Sequence, residues 1–399
     1  MRILQYIGID SFIGSAGGAE RVFCEMANAL SARGHEVHAV CNDIRVGQPF
    51  YPLDDRVQFI NLDGSGQRKR KPLIWKVSHP FRFIAKNMWE QYIRDTYNAR
   101  QGEPLVKLIR TVSPDIVIPY FAHDYFSMLR QPILNVPVIL MHHGNARVFA
   151  RYANTRERVT KINTCPHLQV LQRGFVPEIQ QIFSGSVHVI PNVVPQIAED
   201  GLADLAMEKP SKMITMISRL EPGKQQHILI QAFERLAKNY PEWRVEIYGQ
   251  LNEHGYSRKL QEMIVSLGLT GRVELMGVTN YPLDILRNAD IFAFPSNYPE
   301  GFSLALTEAM AVGLPCVGLK TTPSVNELIV DGVNGFLTDN TPEDFAAKLK
   351  ILMDDQDLRV RMGKAGHGMM KQYAPEKIWD QWEELITAVV QQHRPRRAA

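Results

Sequence analysis

Metal-binding and disulfide spacings are missing from this chain. Its four cysteines, Cys24, Cys41, Cys165 and Cys316, stand far apart among 399 residues, with no Cys-x-x-Cys or Cys/His ligand spacing. This excludes a disulfide scaffold or zinc ribbon and points to reduced thiols in a cytoplasmic protein. No run of about 18 apolar residues occurs, so no membrane-spanning helix is expected. The first apolar run, Ile3 to Ile9, is broken by Gln5 and Tyr6 and followed by Asp10. It reads as a first strand, not a signal peptide. A formal charge of +3 is too small to imply nucleic acid as a partner. Internal repeats and low-complexity segments are also absent.

What remains is an ordinary globular composition, 45% apolar and 22% charged, in a chain long enough for two domains. The first half opens as strand, glycine loop and helix: Arg2 to Ile9, Gly14 to Gly18, then Ala19 to Arg33. Gly34-His35 ends the helix and Glu36 to Cys41 returns as a strand, completing a βαβ unit. Apolar runs at Ile116–Tyr120, Val136–Met141 and Val187–Ile190 continue a parallel sheet. A second α/β set starts near Met213, with strands at Met213–Ser218, Trp243–Tyr248, Arg272–Met276, Ile291–Phe294 and Cys316–Leu319 and helices between them. Such alternation predicts doubly wound sheets. The fold expected is therefore α/β with two Rossmann-like domains. They are joined in the Pro- and Asp-rich Asn192–Pro210 region. A final amphipathic helix spans Glu376 to Gln392, with Ile378, Trp379, Trp382, Leu385, Ile386 and Val389 on one wide face.

Five stretches carry chemistry. The most informative runs from Pro295 to Pro315. It sets Glu300 at a strand's carboxyl end, where open α/β sheets bind ligands, and Glu308 one to two turns into the next helix. Free N–H groups at that helix start favour an anion between the two carboxylates. A nucleotide, anionic in the middle and hydroxyl-bearing at its ends, suits such a site. In Ser218-Arg219-Leu220-Glu221-Pro222-Gly223-Lys224, two cations share a strand-to-helix loop. They form a clamp for a diphosphate, against the plainer reading of a solvated charged loop.

Gly14-Ser15-Ala16-Gly17-Gly18-Ala19-Glu20-Arg21 lets backbone approach a ligand but is neither Gly-x-Gly-x-x-Gly nor a P-loop. The plain alternative is a tight turn. His142-His143-Gly144 ends a buried run, and either histidine could bond a sugar hydroxyl or move a proton. In Ser324 to Phe336, Glu327 reads as a structural helix-start residue, followed by a turn into a short strand. Last, residues 68–100 interleave nine cations (Arg68, Lys69, Arg70, Lys71, Lys76, Arg82, Lys86, Arg94 and Arg100) with aromatics, against Glu90 and Asp95 alone. That pattern suits an anionic bilayer or lipid, or else a solvated helix face.

Taken together, these residues resemble a retaining glycosyltransferase of the GT-B fold, in glycosyltransferase family four (group 1). The resemblance covers nearly the whole chain and is strongest over 213–340. It rests on Gly17-Gly18-Ala19-Glu20-Arg21, Ser218-Arg219 with Lys224, Glu300-Gly301-Phe302 with Glu308 at Glu-x7-Glu spacing, Ile190-Pro191-Asn192 and Pro323 to Gly335. Two departures touch loop detail: Val193-Val194 follows Asn192, and Gln225-Gln226 follows Lys224.

The resemblance implies an acceptor-binding domain over 1–195, a nucleotide-sugar donor domain over 196–375, and a crossover helix and basic tail over 376–399, the two domains facing across a cleft. Arg219 and Lys224 are then expected to hold the donor diphosphate, Glu308 the ribose, and Glu300 the transferred sugar, beside the N–H groups of Gly301, Phe302 and Ser303. Gly17 and Gly18 would lie near the phosphates. His143, six residues after Pro137, is the better match to the family's sugar-contacting histidine, with His142 behind it. The catalytic set expected is Glu300, His143, Arg219 and Lys224.

Paired cations can stabilise a leaving diphosphate without a metal. No Asp-x-Asp stands at a strand end, so no cofactor or divalent metal is expected; Asp354-Asp355 and Asp357 sit at a helix end. The expected donor is a UDP-sugar and the acceptor a saccharide or glycolipid of cell-surface polymer synthesis, with retention at the sugar carbon. A peripheral place at the inner membrane face is expected through residues 68–100. The alternative is a nucleotide-sugar epimerase of similar two-domain fold, which needs no acceptor.

Overall fold

The computed structural model describes residues 1–9, 12–65, 102–129, 135–251, 255–297 and 300–393. The basic stretch over 68–100 therefore lies outside the described residues. Contacts divide the chain into two units, Met1–Ile190 with Trp379–Ala399, and Pro191–Ile378.

In the first unit, β1 (Arg2–Ile7), β2 (Glu36–Cys41), β3 (Gln58–Asn61) and β4 (Ile116–Pro119) form a parallel sheet in the order β3-β2-β1-β4. A second set, β5 (Ile139–His142), β6 (His167–Val170) and β7 (Ser186–Val189), is parallel in chain order. A parallel bridge between Val117 and Val138 joins the sets, with the Val117 N–H donating to Pro137 O at 3.0 Å. The chain leaves β1 toward β2 and returns to its other side as β4. The carboxyl ends of β1 and β4 are thus a topological switch point, where helices leave on opposite sides and open a crevice. The helix Gly18–Ala32 follows β1 and stops at Gly34, whose φ of +85° ends it without Cβ strain.

In the second unit, β8 (Lys212–Ile217), β9 (Trp243–Tyr248), β10 (Val273–Gly277), β11 (Ile291–Phe294), β12 (Cys316–Leu319) and β13 (Gly335–Thr338) make one parallel sheet, ordered β10-β9-β8-β11-β12-β13. Its switch point lies between β8 and β11. All four residues of β11 are buried, as a continuous apolar run in a centre strand requires. Helices Gln226–Ala237 and Pro342–Asp354 cover the sheet, burying Leu229, Phe233, Phe345 and Leu349 against Trp243 and Ile247. Each such side chain contributes about 1.5–3 kcal/mol. Arg272 donates to the carbonyls of Ala237, Tyr240 and Trp243, closing the end of Gln226–Ala237.

Two strands and two helices differ from the sequence reading, the helix Gln356–Met370 being one it did not mark. β3 is short and half exposed, so no apolar alternation marks it. β6 carries the fully buried Gln169, which donates to Ile190 O at 2.6 Å. A polar residue inside a buried strand hides it from a hydropathy reading. Glu327 is not a helix-start residue: Pro323 opens a short helix, Pro323–Asn326, and Glu327 is its C-cap.

The last helix, Pro375–His393, begins in the second unit and belongs to the first from Trp379 onward. Trp382 and Ile386 are buried. Asp380 pairs with Arg33 at 3.1 Å and Glu383 with His35 at 3.1 Å, tying the helix to the end of Gly18–Ala32.

Candidate functional site

At the second unit's switch point, two loops converge. The chain leaves β8 through Ser218 and Arg219, makes a tight turn at Pro222–Lys224, and enters the next helix through Gln225 at a φ of +53°. Left-handed backbone is uncommon for a residue with a side chain, and Gln225 fills a place where glycine fits without strain. Asn297 N–H, just past β11, donates to Gly223 O at 3.0 Å and fastens the second loop to the first. Lys224 and Glu300 form an ion pair with side chains only 10% and 11% exposed. The same Glu300 oxygen accepts the Ser296 hydroxyl at 2.6 Å. Thr322 in turn donates to Ser296 O at 2.7 Å, holding the end of β11.

Arg219 stands apart from this group. It is 68% exposed and pairs with Glu221 at 2.7 Å. Its backbone is fixed from below by the buried Gln226, which donates to Arg219 O at 2.8 Å and Ser218 Oγ at 2.9 Å. Ser303 caps the helix Leu304–Ala311 by accepting from Leu306 N–H. Phe302, buried, meets Tyr373 edge-on at 5.1 Å and seats that cap. Glu308 lies buried in the same helix. The structure thus gathers Lys224, Glu300 and Ser296 at one sheet end, with Arg219 on the same loop as Lys224 and with Ser303 and Glu308 at the start and inside of the helix that follows.

The first unit's switch point sets neutral histidines beside carboxylates held by N–H and O–H groups. Gly14 takes a φ of +71°. A Cβ on Gly17 would sit 2.1 Å from the Glu20 carboxylate, which also accepts the Ser15 hydroxyl at 2.8 Å. The positive φ accounts for Gly14, and at Gly17 a side chain would displace the Glu20 carboxylate from Ser15. The two histidines separate clearly. His142 is buried and donates to Asn145 O at 2.9 Å, so its ring is used within the fold. His143 stacks on Tyr120 at 5.0 Å and 19°, with its shielded Nε2 lacking a hydrogen-bond partner. Burial pushes the pKa of His142 down to about 4 and that of His143 down to about 3. Both rings are neutral near pH 7.

Beside them lies a pair that the sequence reading passed over. Asp124, fully buried, accepts from Gly8 N–H and Phe121 N–H, each at 3.0 Å. His123 donates to Gly8 O at 3.2 Å and lies 3.1 Å from Asp124. Burial pushes the Asp124 carboxyl up to about 6, outweighing the hydrogen bonds and His123, which lower it. The carboxylate clamps the carboxyl end of β1 to that of β4. Its signal was position: Asp124 follows the β4 run as Ser296 follows β11. All four cysteines are buried free thiols, and burial pushes Cys24 and Cys41 up to about 12.

Gly17, Gly18 and His143 belong to the first unit, and Arg219, Lys224, Glu300, Gly301, Phe302, Ser303 and Glu308 to the second. Among the described residues, no group of three His, Cys, Asp or Glu is placed to hold a metal ion, and no helix is long and apolar enough to cross a membrane.

Residues 201–369 match the family described as Glycosyl transferases group 1, and residues 16–196 match Glycosyltransferase Family 4. An uncharacterized glycosyltransferase of Haemophilus influenzae is 26% identical over 94% of this chain and 97% of its own length. The lipopolysaccharide core biosynthesis glycosyltransferase LpsE of Rhizobium meliloti is 24% identical over 94% and 97%. Among solved structures, Anabaena HepE in complex with UDP-glucose shares the fold, with a TM-score of 0.72 and 21% identity over 97% of this chain and all of that one (100%).

Proposed function

The chain belongs to the group 1, family four glycosyltransferases of GT-B fold, and from that membership we propose that it moves a sugar from a UDP-sugar onto a saccharide or lipid-linked saccharide with retention. Membership in a transferase family sets aside the epimerase alternative. The observation that carries the donor reading is the Lys224, Glu300 and Ser296 group at the β8/β11 switch point, with the capped start of Leu304–Ala311 beside it. HepE, bound to UDP-glucose, supports uridine as the base, and the Rhizobium relative's role in lipopolysaccharide core synthesis supports a cell-surface acceptor.

In this reading the second unit holds the donor. Lys224 and Arg219 face the diphosphate, Glu308 takes the ribose hydroxyls, and Glu300 takes the sugar hydroxyls. The bond from the sugar carbon to the leaving phosphate oxygen breaks, and negative charge grows on the diphosphate. Cations and helix N–H groups preset at that point lower the barrier, because they need no reorganisation as charge develops. The acceptor oxygen bonds to the same face of the sugar carbon, and its proton passes to the departing phosphate. The cations carry the leaving charge without a divalent metal. The first unit receives the acceptor, and the neutral ring of His143 faces a sugar. A peripheral membrane position through residues 68–100 is part of the same proposal.

The test is a panel of nucleotide-sugars, scored by released nucleoside diphosphate with and without saccharide acceptors. UDP release that needs an acceptor is expected. Isomerised nucleotide-sugar without acceptor, or no turnover of any donor, would sink the reading.

A further inference from the structure

Both cations after β8 hold carboxylates, but the two pairs differ in weight. Arg219 with Glu221 is largely exposed, and such a pair contributes little. Lys224 with Glu300 is nearly shut off from water. Its carboxylate is further anchored by Ser296 at 2.6 Å, and Lys224 Nζ lies 5.8 Å from the Phe294 ring centre. Losing one partner of a pair removed from water leaves the other charge desolvated and costly. A diphosphate that takes Lys224 must therefore either draw it from Glu300 or lie beside the Glu300 carboxylate.

We propose that Glu300 is a selectivity residue that sets the site against the spent nucleoside diphosphate and in favour of the intact nucleotide-sugar. The inference rests on the donor reading above. A free nucleoside diphosphate brings two or more negative charges to Lys224 and, with its ribose hydroxyls at Glu308, nothing that donates to Glu300. The carboxylate is then left without its cation, close to like charge. An intact donor brings sugar hydroxyls, which can donate to Glu300 as Lys224 turns to the phosphates. Two interactions replace one, and no charge is stranded. Once the sugar has left, the compensation leaves with it, and Lys224 returns to Glu300 as the diphosphate departs. The carboxylate thus serves the release step as well as sugar recognition.

The experiment measures dissociation constants by calorimetry for wild type and Glu300→Gln, with UDP against UDP-glucose and GDP against GDP-mannose as probes. The amide keeps the shape and removes the charge. For the pair that wild type binds, Glu300→Gln should hold the free diphosphate about tenfold more tightly. It should hold the intact donor no more tightly than wild type does. Glu300→Asp, which keeps the charge, should keep the wild-type ratio. Should the amide variant not fold, Glu300→Ser gives the same readout. Unchanged or weaker diphosphate binding in the uncharged variant, or the same shift in Glu300→Asp, would overturn the inference and leave the donor reading standing. Failure of wild type to bind any of the four probes would instead strike the donor reading itself.

Discussion

The two switch points share a topology and differ in chemistry. In the second unit the crevice between β8 and β11 holds a cation and a carboxylate in contact, with an exposed cation on the same loop as the first. In the first, the crevice between β1 and β4 holds a carboxylate met by backbone N–H groups, and a histidine flat against a tyrosine. Burial acts on both, with opposite outcomes. Lys224 and Glu300 neutralise each other as a pair of charges. His143 is neutralised singly, by losing its proton. On the proposed reading, one crevice would meet charge that appears during a reaction, and the other would offer a neutral ring beside a carboxylate already held by backbone N–H groups. The same strand order can be fitted for either task, because the fold supplies only the opening and the loop residues supply the polarity.

The comparison can be broken by substitution. Lys224→Ala should lower kcat by about a hundredfold to a thousandfold, the usual scale for removing one charge-stabilising donor. His143→Ala should cost only about tenfold, the value of one neutral hydrogen bond. Equal losses in steady-state assays would show that the first crevice also meets developing charge. Glu308→Gln should act on binding more than on chemistry. The expected outcome is a KM for donor raised about tenfold with kcat nearly held; a matching fall in kcat would move Glu308 into the reacting group.

The smallest effect concerns acid. His142 and His143 are depressed in the folded chain, so the unfolded chain takes up more protons below about 6.5 and stability falls with pH. Asp124 works the other way. Its raised value near 6 lets the folded chain bind a proton before the unfolded one does, so stability rises as pH falls from about 6 toward 4. Melting of wild type and Asp124→Asn at pH 7 and pH 5 checks this. The variant should lose more on acidification, having lost the offset, by a few °C; equal losses would show that Asp124 does not titrate there.

Most of the second unit was legible in the sequence, because its strands are continuous apolar runs and its loops carry charged residues at strand ends. Glu300, Lys224 and Arg219 could be placed by counting from those strands. The first unit was harder. β6 was hidden by the buried Gln169. His143 was preferred to His142 through the resemblance alone; the bond that ties up His142, to the Asn145 carbonyl, depends on the turn after β5. Asp124 was missed because a carboxylate bound by backbone N–H groups has no sequence partner to announce it. Serine and glutamine supports, Ser296 and Gln226, escaped for the same reason: their partners are carbonyls and hydroxyls brought near only by folding.

The membership of the last helix bears on the order in which the chain matures. A ribosome delivers residues 1–190 first, yet that unit also counts Trp379 onward among its own, with Trp382 and Ile386 in its core. The second unit, synthesised later, has all of its residues once Ile378 emerges. The half that starts first therefore finishes last, and until then it exposes the surface that Trp382 and Ile386 will cover. Translation arrested after residue 378 should leave a protease-resistant second unit beside an incomplete first one.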